Sequence, residues 1–135
     1  MKGGAFFDTN LLVYAALQPD PRSDRARDLL ARGDVVSVQV LNEFANVARR
    51  KLRLPWSEVA QALDGIRALC PPPLPLTVAT HEAALGVAER LGYRLYDSLI
   101  MTSALEAGCA TLYSEDMQDG QVVEGRLTIR DPFRA

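Results

Sequence analysis

Gly3-Gly4-Ala5-Phe6-Phe7-Asp8-Thr9-Asn10-Leu11-Leu12-Val13-Tyr14 holds the transition that decides the fold. Gly3 to Phe7 is a short apolar run without alternation, the pattern of a strand buried on both faces, and it stops abruptly at a carboxylate. Asp8-Thr9-Asn10 supplies capping chemistry for a helix through Leu11–Tyr14, which Pro19 and Pro21 end. A buried strand feeding directly into a capped helix belongs to a sheet with helices on its faces.

The rest of the chain continues that alternation. Helices are predicted over 23–32, stopped by Gly33, and over 39–52, with an apolar stripe at Val40, Phe44, Val47 and Ala48 and a crowded basic end at Arg49, Arg50, Lys51 and Arg53. Further helices are predicted over 57–69, over 80–91 with Thr80 as cap and Gly92 as stop, and over 97–107 ahead of Gly108. Strands are expected at 35–38, near 76–78, at 110–113 and, more weakly, at 127–129. With the opening strand these make a mostly parallel five-stranded sheet flanked by helices, an α/β fold. The stiff segment Cys70-Pro71-Pro72-Pro73-Leu74-Pro75 is a connection within one domain spanning residues 1–135.

At 135 residues, 48% hydrophobic and 24% charged, the chain has the composition of one ordinary globular domain. Its net charge of -2 excludes nucleic-acid binding by bulk charge, so any such role needs local patches or bound metal. The N-terminal apolar stretch follows Lys2 but is broken by Asp8 and Asn10, and matches neither a signal peptide nor a membrane span, so a cytoplasmic protein with no membrane partner is expected. Cys70 and Cys109 lie far apart without a CxxC pattern, as buried thiols do in a reducing compartment.

In open parallel sheets, ligands bind beyond the carboxyl ends of the strands. Two such ends are acidic here, Asp8-Thr9-Asn10 and Ser114-Glu115-Asp116-Met117-Gln118-Asp119. Glu43 lies between Val40 and Val47 and beside Phe44, so it interrupts an apolar helix face, where a lone carboxylate is costly unless a partner or metal compensates it. Asp97 opens a helix a few residues after another has turned back. Each acid also has a plain structural use: Asp8 and Asp97 as helix caps, Glu43 at the edge of its stripe or paired with Arg49 or Arg50, and Asp116 and Asp119 in a loop. Jointly, carboxylates from distant segments meeting at one sheet edge repel one another, and a cation resolves the repulsion. Oxygen-only donors favour Mg²⁺ or Mn²⁺ over zinc; the single histidine, His81, is expected at the surface.

Rival chemistries lack their residues. There is no P-loop, no GxGxxG and no GxSxG elbow. The Asp-x-Asp pattern of aspartyl-phosphate chemistry fails because position 10 is Asn, and the only lysines, Lys2 and Lys51, do not follow a later strand.

Phe6 to Ala15, Val40-Leu41-Asn42-Glu43-Phe44, Tyr96-Asp97-Ser98-Leu99-Ile100 and Tyr113-Ser114-Glu115-Asp116-Met117, in that order and spacing, resemble the PIN domain, and more narrowly the VapC-type toxins of bacterial toxin–antitoxin pairs. The resemblance implies an Mg²⁺- or Mn²⁺-dependent endoribonuclease in which Asp8, Glu43, Asp97 and Asp116 match the acidic positions. It further implies Thr9 or Asn10 and Ser114 as supporting neighbours; Asp119 stands where relatives vary. The mechanism expected on that basis has Asp8 and Asp116 binding the metal directly, Asp97 bridging or binding through water, and Glu43 orienting a metal-bound water. The implied partners are an RNA substrate, an antitoxin protein that covers the acidic site, and a second copy of the chain. Arg22, Arg25 and Arg27, or the run from Arg49 to Arg53, are available for RNA backbone contacts. Tyr14, Trp56 and Tyr96 have rings that stack on bases, although core packing is their more ordinary use. Other functional classes left open are an inert binding module of the same fold and a metal-dependent DNA nuclease or phosphatase.

Overall fold

A computed structural model describes residues 3–134; Met1, Lys2 and Ala135 lie outside it, and with them the expected N-terminal lysine. The elements run β1 (Ala5–Phe7), α1 (Thr9–Ala16), α2 (Ser23–Leu30), α3 (Val38–Arg50), α4 (Trp56–Leu69), α5 (Val78–Leu91), α6 (Leu95–Glu106), β2 (Thr111–Tyr113), β3 (Val122–Val123) and β4 (Leu127–Arg130). The sheet has the order β1-β2-β4-β3, with β1, β2 and β4 parallel and β3 antiparallel to β4. Its central row is Phe6, Leu112 and Ile129, aligned in register and all fully buried. That is why the opening run needs apolar residues on both faces.

Among the described residues the sheet has four strands, not the five expected. Residues 35–38 contribute only a parallel bridge from Val35 to Phe6, and the strand expected near 76–78 shrinks to a parallel bridge between Ser37 and Leu74. Hydroxyl caps are the reason. Ser37 Oγ accepts from the Val40 amide at 3.3 Å and turns the chain into α3 from Val38. Thr77 Oγ1 likewise accepts from the Thr80 amide at 3.0 Å and starts α5 at Val78, while Thr80 spends its own hydroxyl on Glu106 at 2.8 Å. A hydroxyl that caps a helix takes the backbone away from the ladder. The additional strand, β3, returns to β4 through a turn with Glu124 and Gly125 at φ 51° and 65°, the left-handed geometry that matches the twist of paired strands.

α6 is buried from Ser98 through Leu105 because it packs against α5, α3 and β2. Its first residue is Leu95, two before the predicted start, so Asp97 lies in the first turn and is not the cap. Gly33, at φ 71°, closes α2 against the end of α4; a Cβ there would stand 2.5 Å from the Leu69 carbonyl oxygen. Cys70 and Cys109 are free and buried, and burial pushes the Cys70 thiol up to about 11. Among the described residues no helix is long and apolar enough to cross a membrane.

Candidate active site

Asp8 follows β1 directly, and its backbone amide extends the ladder by donating to the Tyr113 carbonyl at 3.0 Å. Its extended backbone and its side chain make it the N-cap of α1: Oδ1 accepts from the Thr9 amide at 2.7 Å. Oδ2 accepts from Ser114 Oγ, also at 2.7 Å, across the gap between β1 and β2. The capping use and the cluster use of this residue therefore coexist. Burial pushes the Asp8 carboxyl up to about 6; the bonds from Ser114 and Thr9 hold it down, and the negative charges of Glu43 and Asp116 add to the rise.

Three further acids stand near it, Glu43 and Asp116 close enough to raise Asp8, and Asp97 close enough to raise those two. Asp116 stands two residues beyond the Ser114 that closes β2; Asn10 Nδ2 donates to its Oδ2 at 2.5 Å and its amide donates to Ser114 Oγ at 3.3 Å. Partial burial raises its carboxyl, and Glu115 and Asp97 raise it further against Arg94 and the Asn10 bond. Glu43 is half-buried at the border of the apolar stripe of α3, where the Gln39 amide, one turn earlier, donates to Oε2 at 3.1 Å. Burial raises it, Gln39 and Arg94 lower it, and Asp97 and Asp116 raise it. Asp97 enters from the first turn of α6, with the exposed Arg94 guanidinium 3.5 Å away.

Asp119 does not join this group. Its Oδ1 accepts from the Asp131 amide at 2.8 Å and its Oδ2 lies 3.5 Å from Arg134, so it ties down the C-terminal segment. Thr9 turns its hydroxyl into a buried position with no hydrogen-bond partner among the described residues. Gln39 and Arg94 were missed in the sequence; an amide four residues before Glu43 on one helix was the available signal. Tyr14 is half-buried, with its hydroxyl on Glu115, whereas Trp56 and Tyr96 are 65% and 61% exposed, contrary to the core role expected of them. His81 is exposed, as expected.

Among the described residues no three acidic, histidine or cysteine side chains are gathered tightly enough to cage a metal ion as they stand. The donor chemistry nevertheless suits a hard divalent cation: oxygens only, a buried carboxylate whose ionisation is penalised, like charges facing it, and an orphaned hydroxyl beside it. Mg²⁺ in particular is held by one or two carboxylates and keeps several waters, so it needs no closed cage.

Residues 5–119 match the family model of the PIN domain. No curated protein matches in sequence. In fold, the chain is similar to the Mycobacterium tuberculosis VapC20 toxin, described as cleaving the sarcin-ricin loop, at 21% identity over 82% of this chain and 88% of that one, TM-score 0.68. It is similar to a chain of a toxin–antitoxin complex from Klebsiella pneumoniae at 14% identity over 98% and 100% of the two chains, TM-score 0.73. A chain of the Rickettsia felis VapBC2 assembly bound to promoter DNA aligns at 19% identity over 94% and 98%, TM-score 0.61.

Proposed function

The chain belongs to the PIN-domain family, and from that premise we propose that it is an Mg²⁺- or Mn²⁺-dependent endoribonuclease acting as the toxin of a toxin–antitoxin pair. The observation that carries the reading is the facing of Asp8, Glu43, Asp97 and Asp116, delivered by four separate segments to one sheet edge with Asp8, Glu43 and Asp116 all harder to ionise than free carboxyls. A protein that kept these acids only for folding would pair them; clustering them is costly, and the cost is characteristic of catalytic sites.

Asp8, Asp97 and Asp116 would hold the cation, which when bound neutralises the cluster and the scissile phosphate and makes a water more acidic. Ser114 and the Thr9 amide fix the Asp8 carboxylate, and Asn10 fixes that of Asp116, so the ligands are oriented before substrate arrives. Gln39 holds one Glu43 oxygen, leaving the other to orient the attacking water and take its proton; the raised Glu43 carboxyl makes it the better base. Attack on phosphorus breaks the bond to the 3′-oxygen, which leaves as a hydroxyl. The partners that go with this reading are an antitoxin covering the acidic edge and a second copy of the chain.

Cleavage assays with single-stranded RNA, single-stranded DNA and a small phosphate ester, each with Mg²⁺, Mn²⁺ or EDTA, test it. RNA cleavage that requires metal and is lost in Asp8→Ala and Asp116→Ala is the expected result. Undiminished cleavage by both variants overturns the site; preference for DNA or the ester, or no reaction at all, overturns the substrate class.

A further inference from the structure

The basic residues are not equivalent once their contacts are known. Arg22 is spent on Asp20 and Glu115 and Arg27 on Asp24. Arg49, Arg50, Lys51 and Arg53, by contrast, form no ion pair among the described residues, although they are four cations within five positions of a chain whose net charge is -2. The dipole of α3 favours cations at its end but does not neutralise four of them.

A groove of about 430 Å³ runs beside this basic end, lined by Asn42, Ala45, Asn46, Arg49, Arg50 and Trp56. Trp56, the first residue of α4, is 65% exposed, and the Arg49 guanidinium lies over its ring at 4.8 Å while Arg49 Nη1 donates to the Leu54 carbonyl at 2.8 Å. The guanidinium is thus pinned, and the indole is held in place without being buried. Glu43 and Arg50 are seven residues apart on α3, so they share an azimuth and are separated by about 10 Å along the axis. Asn42 and Asn46, one turn apart, line the groove on the side of α3 next to that line. A negatively charged chain entering at the acidic edge would meet, in order, amides, guanidinium groups and an indole face.

We infer that this groove is a nucleotide subsite, in which single-stranded RNA leaving the acidic edge along α3 stacks a base on Trp56 and sets its phosphates against Arg49 and Arg50. The identity of the ligand rests on the ribonuclease reading above. Cationic grooves with an exposed aromatic bind single strands with little sequence preference, because every base has a stacking face, and amides add hydrogen bonds to base edges.

Trp56 is the only tryptophan, so its fluorescence reports on this groove alone. Titration of the full chain with a short oligouridylate in EDTA, where cleavage is stopped, should quench the emission, and added salt should reverse the quenching. By anisotropy of a labelled oligouridylate, Trp56→Ala should weaken binding about tenfold and Trp56→Phe should restore most of it, since phenylalanine keeps a stacking face. Arg50→Ala should weaken binding several-fold and flatten its salt dependence. RNA binding without quenching, or unchanged in Trp56→Ala, overturns the subsite; so does loss of binding to a co-purifying protein in these variants with RNA affinity intact, which would make the groove a protein-docking face. The two readings fail separately. Quenching without metal-dependent cleavage rejects the ribonuclease and keeps the subsite, whereas cleavage with an unchanged KM in Trp56→Ala does the reverse.

Discussion

Glu115 and Asp116 are neighbours in one loop, and their surroundings are opposite. Glu115 accepts from the Tyr14 hydroxyl and lies 3.0 Å from Arg22 Nη1. Arg22 also grips Asp20 at 2.7 Å and stacks over the Tyr14 ring at 4.2 Å, and Phe133 closes the group edge-on at 5.4 Å from that ring. Arg22 holds the Asp20 carboxyl down at about 2. Asp116, one residue on, faces Asp97 and the other acids, and its carboxyl is raised. The chemistry of the side chains is the same; the supply of cations differs. One side receives a guanidinium with several donors fixed in place; the other receives, among the described residues, Arg94, 86% exposed and 3.5 Å from Asp97. Paired acids hold this loop, and unpaired acids leave it wanting a charge from outside.

The sharpest way to break the contrast is through catalysis. Glu43→Gln should lower the rate of metal-dependent RNA cleavage by about 10²-fold or more, while Glu115→Gln leaves it within a few-fold; comparable losses in both would erase the distinction. Stability should move in the opposite sense on the two sides. Asp8 ionises near 3.8 in the unfolded chain and at about 6 in the fold, so it favours folding below about 3.8 and loses that contribution as pH rises through 6. Near pH 7, in EDTA, Asp8→Asn should therefore be more stable than the wild type by about 1–3 kcal/mol, and the gain should vanish near pH 3, as read by denaturant titration at both pH values. Arg22→Ala, which strips the paired side, should lower stability in the same titration, and by less at high salt. The smallest expected change is in Gln39→Ala, a several-fold fall in cleavage, since the Gln39 amide positions Glu43 through its hydrogen bond to Oε2.

The carboxyl-end location of Asp8 and Asp116 was legible because it follows from strand order alone, and Glu43 from its place against Val40, Phe44 and Val47. Legible, too, were the parallel core strands, since Ala5-Phe6-Phe7 is a continuous apolar run and Thr111-Leu112-Tyr113 and Leu127-Thr128-Ile129 are built of aliphatic, aromatic and β-branched residues. What escaped was set by single hydroxyls and by long-range pairing. Ser37 and Thr77 turned two expected strands into helix starts, a competition that composition cannot arbitrate. Glu115, Asp116 and Asp119 look alike in a loop; only Arg22, Asn10 and the Asp131 amide, brought from elsewhere, assign them to different work. Trp56 and Tyr96 were expected inside because large rings usually are, and their exposure depends on where α4 and α6 begin.

The sheet narrows at both margins, to the two-residue β3 on one side and to the single Leu74 bridge on the other. An edge that short gives an incoming strand almost no ladder to continue, so the sheet is a poor template for domain swapping or fibril growth. Copies of this chain, and any protein that covers it, are thereby steered toward helical faces for their contacts.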